Sequence, residues 1–186
     1  MNIESFKNSV GGGVRTALFR VGGRIGGSGS DELLTFLVTA SSLPQSSLQT
    51  ISAPFRGRDV KLPGSRVFGE EWSITILSDN DMSLRSKFER WVEDLNGAET
   101  NIARRDIDLS NTTDFPNWSI DQLDRNGDPV KSYTMFYCFP TAVSAIQNTA
   151  GDEGLASFDV SLAYSYFTTS DVTVGYGLPG SRTEAR

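Results

Sequence analysis

The feature that most constrains this fold is a strand followed directly by a helix, in residues 72–96. In the first part, WSITIL, the side chains of Trp72, Ile74 and Ile76 alternate with the residues between them. A period of two in residue types that favour strands is typical of a β-strand with one buried face. Any fold for this chain must therefore cover that face with another layer.

A helix is predicted over residues 84–96, because its apolar residues recur at the spacing of a 3.6-residue turn. They form one stripe: Leu84, Phe88, Trp91, Val92 and Leu95. Asp79, Asp81 and Ser83 precede the helix and can cap it. Gly97 follows, where a left-handed residue costs least. Core packing explains this stripe better than ligand binding does.

Most of the remaining chain also predicts β-structure. The predicted strands are residues 14–21, 33–40, 119–123, 129–139 and 157–167, with a short one at 106–109. Asn126-Gly127 is a strong two-residue turn signal, so the strands on either side of it are predicted to form a hairpin. We therefore predict a mainly β fold: two packed antiparallel sheets forming a sandwich or small barrel, with one flanking helix at 84–96.

A long connection, residues 45–69, contains only short pieces compatible with β-structure. Connections of this length in compact domains are usually functional segments or interaction arms. The segment combines basic and apolar side chains: Arg56, Arg58, Lys61 and Arg66 with Pro54, Phe55 and Leu62. A solvated charged face is the simpler interpretation, but the apolar residues favour pairing with acidic neighbours. Pro63-Gly64 predicts a turn that ends the basic part.

The whole chain, residues 1–186, is predicted to be a single domain. Residues 1–13, which end in three glycines, are expected to be a flexible N-terminus, and residues 171–186 a C-terminal tail. No apolar run approaches the ~20 residues of a membrane-spanning helix. The N-terminus also lacks the apolar core of a secretory signal.

Composition excludes several classes of function. Acidic residues outnumber basic ones by 23 to 17, and the net charge of −6 disfavours tight nucleic-acid binding. The chain has no histidine and one cysteine, Cys138, so an intrachain disulfide and a histidine-activated nucleophile are both excluded. Asp79 and Asp81 suit helix capping better than metal binding. We therefore expect no enzymatic activity, no cofactor and no metal.

The order of motifs in the central region resembles the tail tube proteins of contractile-tailed bacteriophages. The matching features are Pro54-Phe55-Arg56-Gly57-Arg58, then Pro63-Gly64, an aromatic strand ending in an Asp-containing turn, and a helix with Phe88 and Trp91 that ends at Asn96-Gly97. The segments ASSLP (residues 40–44) and SFDVSLAYSYF (residues 157–167) are also similar to that family.

The resemblance implies a structural virion protein that forms homo-hexameric rings, which stack into the inner tail tube and conduct the genome into the host. It implies a tail sheath outside, a tape-measure protein and then double-stranded DNA inside, and a baseplate and a tube terminator at the ends. No membrane anchoring is implied, and the subunit would be assembled in the host cytoplasm and reside in the virion tail. Residues 45–69 would then form an inter-subunit arm, with Pro54, Phe55, Arg56, Gly57 and Arg58 reaching a neighbouring subunit.

A channel that passes DNA should not hold phosphates, so its wall is expected to be acidic or neutral. The candidate acidic residues of the channel wall are Asp106, Asp108 and Asp159. Two other functions stay open. One is the inner tube of a non-phage contractile injection particle, which would carry effectors. The other is a monomeric β-barrel module that binds a small ligand or carbohydrate in a pocket of Trp72, Trp118 and Tyr133.

Overall fold

The computed structural model describes residues 2–5, 13–27, 32–69, 71–104, 112–148 and 154–171. In chain order the elements are β1 (Phe19–Gly22), α1 (Glu32–Leu37), β2 (Val38–Ser41), β3 (Ser46–Phe55), β4 (Arg58–Phe68), β5 (Glu71–Leu77), α2 (Ser83–Leu95), β6 (Trp118–Leu123), β7 (Pro129–Phe136), β8 (Phe139–Val143), β9 (Ser157–Ala163) and β10 (Tyr166–Asp171). The predicted mainly β fold with one long helix is confirmed. The strand predicted at 106–109 lies outside the described residues.

Two four-stranded antiparallel sheets form the body of the subunit. Sheet I has the order β1-β6-β7-β10 and sheet II the order β2-β5-β9-β8, while β3 and β4 form a separate hairpin. The sheets face each other across an apolar core. At its centre the indole rings of Trp72 and Trp118 meet edge to face, with 6.0 Å between their centroids. The alternation in residues 72–77 therefore buries one face of β5, as the sequence predicts.

Helix α2 packs on the sandwich through a narrower stripe than the sequence predicts. Leu84, Phe88 and Trp91 are buried, and Leu95 packs half-buried against the same core. Val92 was expected in the stripe, but its side chain is 38% exposed. Successive residues of a helix differ by about 100° around the axis, so burying Trp91 turns Val92 towards the rim. The ring of Phe88 lies 6.2 Å from that of Trp118, which joins the helix to sheet I.

The start of α2 uses one of the predicted capping residues, Asp79, whereas its end differs from the prediction. At the start, the carboxylate of Asp79 accepts hydrogen bonds from the backbone nitrogen of Ser83 at 3.1 Å and from its hydroxyl at 2.5 Å, while Asp81 makes no such contact. These bonds, the Ser83 hydroxyl above all, hold the pKa of Asp79 below its usual value. At the end, Asn96 is extended and bridges to Ala103. The prediction that Gly97 adopts a left-handed backbone is wrong, because the pairing of Asn96 with Ala103 ends the helix before it.

The strand predicted for residues 33–40 is wrong in its first half. Residues Glu32–Leu37 form the short helix α1, and β2 begins only at Val38. Leu34 is buried within α1, whereas Leu33 and Phe36 are exposed, and Val38 is buried at the start of β2. An unbroken apolar run fits either a helix or a strand, so the sequence alone did not distinguish them.

Two predicted strands each divide between the two sheets. Residues 129–139 become β7 in sheet I and β8 in sheet II, because Tyr137 adopts a left-handed backbone with φ of 57°. Residues 157–167 divide in the same way into β9 and β10, and at that corner the backbone nitrogen of Ser165 donates to the carbonyl oxygen of Phe136 at 3.0 Å. Pro140 was expected to end a strand but lies within β8, an edge strand, where its missing N–H is tolerated.

The first predicted strand, residues 14–21, is shorter in the structure and begins at Phe19. The chain after β1 is shaped by close contact with the core. A Cβ atom on Gly23 would overlap the indole ring of Trp118, so this position accepts no side chain. Gly26, with φ of 53°, lies against the ring of Trp91. These glycines therefore serve packing.

Replacing Trp91 by alanine should lower the free energy of unfolding by about 3–5 kcal/mol, because a buried ring is removed from the core. The indole nitrogen also loses its hydrogen bond to the carbonyl oxygen of Asp114, 3.2 Å away. Urea unfolding followed by circular dichroism measures the change. Arg90 is exposed on the same helix, and Arg90→Ala should change stability by no more than about 0.5 kcal/mol. Equal losses would contradict this assignment of the buried face.

Replacing Asp79 by alanine should cost about 0.5–2 kcal/mol at neutral pH, the usual effect of losing a helix cap. Because the folded-state pKa of Asp79 is lowered, its contribution is complete above the unfolded pKa of about 3.9 and is lost as pH falls through the lowered value. The wild type and variant should therefore converge in acid. Asp81→Ala is the control and should be neutral at both pH values in urea unfolding. A constant difference at all pH values would show that the carboxylate charge is not involved.

Candidate functional site

The arm, residues 45–69, is a hairpin that stands apart from both sheets. Strands β3 and β4 pair from Ser46 opposite Phe68 to Phe55 opposite Arg58. The turn between them is Arg56-Gly57, and both residues have positive φ, 46° and 78°. Positive φ at both central positions defines the tight turn that matches strand twist. The segment predicted as an extended arm thus has regular pairing along most of its length.

The turn predicted at Pro63-Gly64 is wrong, because both residues lie inside β4. The pairing shifts there by one residue: Leu48 is opposite Arg66, but Thr50 is opposite Pro63. This is a β-bulge, an irregularity at which proline and glycine are tolerated within a strand. The same residue pair signals a turn in a loop and a bulge in a hairpin, and the sequence alone does not distinguish the two.

The outer part of the arm has one apolar and one polar face. The pairing places on one face Ile51, Ala53, Phe55, Val60 and Leu62, with Arg58 opposite Phe55 beside the turn, and on the other Thr50, Ser52, Pro54, Asp59, Lys61 and Pro63. The large apolar side chains of the first face are exposed; that of Phe55 is 63% exposed. On the polar face the ammonium group of Lys61 donates to the hydroxyl of Ser52 at 2.8 Å. We call the first set the apolar face of the arm.

The tip of the arm is positively charged. The guanidinium of Arg56 lies 5.5 Å from the centre of the Phe55 ring, and Arg58 is exposed on the other side of the turn. Among the described residues, neither arginine has an acidic partner. The tip therefore presents two cations to whatever lies beyond it.

The root of the arm is joined to the sandwich by aromatic contacts. The ring of Phe68 meets that of Phe167 edge to face, with 5.4 Å between centroids, and Phe167 also contacts Tyr164 and Tyr133. The backbone nitrogen of Gly69 donates to the carbonyl oxygen of Gln45 at 2.9 Å. Burial raises the pKa of the Tyr164 hydroxyl, which keeps it neutral. The arm therefore leaves the sandwich from a fixed position.

The outward face of sheet II is mostly small and polar, apart from Leu77 and Phe139, and its charged residues are acidic. Asp159 lies on it and accepts a hydrogen bond from the hydroxyl of Thr75 at 2.6 Å, and Glu71 is exposed two pairs away on the same face. The outward face of sheet I instead carries an ion pair between Arg20 and Asp121 at 3.0 Å. Of the three acidic residues predicted for a channel wall, Asp106 and Asp108 lie outside the described residues.

The alternative of an aromatic ligand pocket conflicts with the burial of its residues. Trp72 and Trp118 are both fully buried in the core, and the indole nitrogen of Trp72 donates to the carbonyl oxygen of Ser42 at 2.6 Å. No free ring face remains there for a sugar to stack on. Cys138 is also buried, and burial raises the pKa of its thiol to about 12, so it is a packing residue.

Among the described residues, no three Asp, Glu or Cys side chains come together to hold a metal ion. None of the helices in this part of the chain is long and apolar enough to cross a membrane.

A model of the phage tail tube protein family matches residues 5–170. The chain therefore belongs to this family, whose members are structural proteins. The tail tube protein gp19 of Enterobacteria phage T4 is 32% identical to it over 57 residues, which cover 31% of this chain and 34% of gp19. The match thus spans about a third of that relative.

Solved structures share the fold at low sequence identity. A chain of the anti-feeding prophage baseplate aligns with a TM-score of 0.61 at 16% identity, covering 86% of this chain and 97% of that one. A chain of the sheath–tube complex of the PVC extracellular contractile injection system aligns with a TM-score of 0.58 at 13% identity, covering 89% and 97%. The same fold therefore occurs in chains of distant sequence from these two particles.

Proposed function

We propose that this chain forms the inner tube of a contractile phage tail, in which hexameric rings stack and the genome passes through the channel. The observation that carries this proposal is the arm. A two-stranded sheet is marginally stable at best without further packing, and the apolar face of the arm is exposed in the single chain. A neighbouring subunit that covers this face supplies the layer that the arm lacks.

The strand order supports closure of a ring. Each sheet has four antiparallel strands, so its two edge strands run in opposite directions: β2 and β8 in sheet II, β1 and β10 in sheet I. Rotation about a ring axis preserves strand direction along that axis. An edge of one copy can therefore pair antiparallel with the opposite edge of the next, and closure of the ring removes the free edges.

The other partners follow by analogy with structural neighbours. Those neighbours come from structures of a baseplate, a sheath–tube complex and a sheath/tube terminator. We infer that this tube has a sheath outside, a baseplate and a terminator at its ends, and a tape-measure protein followed by double-stranded DNA inside. The subunit would be assembled in the host cytoplasm and reside in the virion tail.

A second function is the inner tube of a non-phage contractile injection particle. It is favoured by the fold shared with the anti-feeding prophage and the PVC injection system. The two functions use the same ring and the same arm, and they differ in what the channel carries. Genes for a portal and a terminase beside this one would identify the phage tail, and effector genes would identify the injection particle.

Asp159 is our candidate for the channel wall, together with Asp106 and Asp108. The outward face of sheet II supports this assignment, because most of its side chains are short and its charged residues among the described strands, Glu71 and Asp159, are acidic. Duplex DNA carries one negative charge per ~1.7 Å of axis, so cations on a channel wall would hold phosphates and slow transit. Acidic side chains repel the polymer within a Debye length of roughly 8–10 Å.

The purified protein should form rings and then tubes as its concentration is raised, and Arg56→Glu should stop tube growth without unfolding the subunit. The reason is that Arg56 is exposed at the tip of the arm, away from the core. Negative-stain electron microscopy and size-exclusion chromatography measure assembly, and circular dichroism checks the fold. Arg90→Glu on the exposed side of α2 is the charge-matched control. A strictly monomeric wild type over the accessible concentrations would contradict the proposal.

Changing Asp106, Asp108 and Asp159 together to lysine should leave tails intact but slow genome ejection, because the channel wall would then bind phosphates. Ejection from particles triggered in vitro, followed by a DNA-binding dye, measures the rate. Asp94→Lys, on the exposed side of α2, is the control and should eject normally. Wild-type ejection rates from intact tails with the triple change would exclude these residues from the channel wall.

A further inference from the structure

The arm and helix α1 lie at opposite ends of sheet II. Strand β2 begins at Val38 opposite Ile76 and ends at Ser41 opposite Ile74, so it runs towards the start of β5. Helix α1 leads directly into the start of β2. The arm connects the end of β2 to the start of β5. Each subunit therefore carries α1 at one end of the sandwich and the root of the arm at the other.

Helix α1 exposes apolar side chains that none of the described residues covers. Its inner face is occupied by Leu34, which is fully buried. Leu33 and Phe36 lie three residues apart on its outer face and are 52% and 80% exposed. A phenylalanine exposed to this degree beside a leucine is an apolar patch that a partner surface would be expected to cover. We call Leu33 and Phe36 the α1 patch.

The edges of the arm are poorly suited to binding by strand addition. In a hairpin with a two-residue turn, the pair of residues that flanks the turn is hydrogen-bonded, and hydrogen-bonded and non-hydrogen-bonded pairs alternate from there along the hairpin. The pairs Pro54–Asp59 and Thr50–Pro63 are both non-hydrogen-bonded pairs. At such positions the backbone nitrogen faces outwards, and proline removes the donor from each outer edge. The arm must therefore bind through a face.

We propose that the apolar face of the arm on one subunit docks on the α1 patch of a subunit in the next ring. Both surfaces are apolar and exposed, and every copy carries one of each at opposite ends. A contact between two different surfaces of identical subunits does not close on itself along this direction, so it repeats as a stack. The inference rests on the proposed function and names the surface that receives the arm.

The dimensions of the arm allow this contact. Strand β3 has ten residues and extends for roughly 33 Å, whereas β5 has seven and extends for roughly 23 Å. The arm is therefore longer than the sheet from which it leaves and can cross the boundary between two stacked subunits. Docking would leave the polar face, with Lys61 and Ser52, in contact with water.

Two single-cysteine variants test the contact directly. Phe55→Cys places a thiol on the apolar face of the arm, and Phe36→Cys places one on the α1 patch, while the native Cys138 is buried. Tubes assembled from a mixture of both variants should give disulfide-linked dimers on mild oxidation, and tubes of either variant alone should not. Ser52→Cys mixed with Phe36→Cys is the control, because Ser52 is on the polar face, and should give little cross-linking.

The outcomes of the cross-linking experiment distinguish a failure of the docking proposal from a failure of the proposed tube function. Tubes that assemble but show equal cross-linking in the test and control mixtures would overturn the docking proposal and leave the tube function standing. Dimers in Phe36→Cys alone would indicate a two-fold contact and would also overturn it. A wild type that forms no rings or tubes would overturn the proposed function and this inference with it.

A second variant gives an independent measurement. Phe36→Ser should raise the critical concentration for tube formation about tenfold or more, since loss of one buried aromatic contact typically costs at least 1.4 kcal/mol per contact. Ile102→Ser, which removes an exposed apolar side chain elsewhere, should leave the critical concentration unchanged. Circular dichroism verifies that both variants fold. An unchanged critical concentration for a folded Phe36→Ser protein would overturn the proposal, for instance if a sheath protein covers the α1 patch.

Discussion

The indole ring of Trp118 connects the three layers of this subunit. It lies in sheet I, meets Trp72 of sheet II at 6.0 Å between centroids, and meets Phe88 of α2 at 6.2 Å. Its nitrogen is buried without a hydrogen-bond partner among the described residues, which costs on the order of 1–3 kcal/mol. The apolar contacts of the ring on all sides offset this cost. The positions of the sheet edges, of α1 and of the arm all depend on this packing.

The fold and the proposed assembly surfaces use different side chains. Every buried residue of the described core is apolar, whereas charged residues and several large apolar side chains lie on the surface. The aromatic contact between Phe68 and Phe167 is where the two sets meet, because it links the arm to the core. Changes at the tip of the arm or on α1 should therefore alter assembly while the subunit stays folded, which makes the two properties separable by mutation.

Local sequence patterns predicted the elements that pack against the core through one face only. The strand at Trp72 and the helix at Leu84 were predictable because each buries one face against the core with a regular period. The hairpin around Asn126-Gly127 was predictable from that turn signal, but the structure closes it with a five-residue loop, residues 124–128, in which Gly127 has φ of 88° and Asn126 does not have positive φ. Such patterns failed where tertiary packing decides, as at Tyr137, whose left-handed backbone moves one apolar run from sheet I to sheet II. The pairing of residues 45–69 was hidden by the bulge at Pro63.

The two prolines of the arm also affect the free protein, before any assembly. A free hairpin with apolar side chains and open edges is a template for runaway pairing between identical chains, the geometry of amyloid. Pro54 and Pro63 interrupt the row of donors on both outer edges of the arm. In the proposed assembly, newly made subunits would then accumulate to high concentration without precipitating, until an existing tube end presents a surface to which they add. The same hairpin therefore keeps its apolar face available for binding while its edges do not promote aggregation of the unassembled protein.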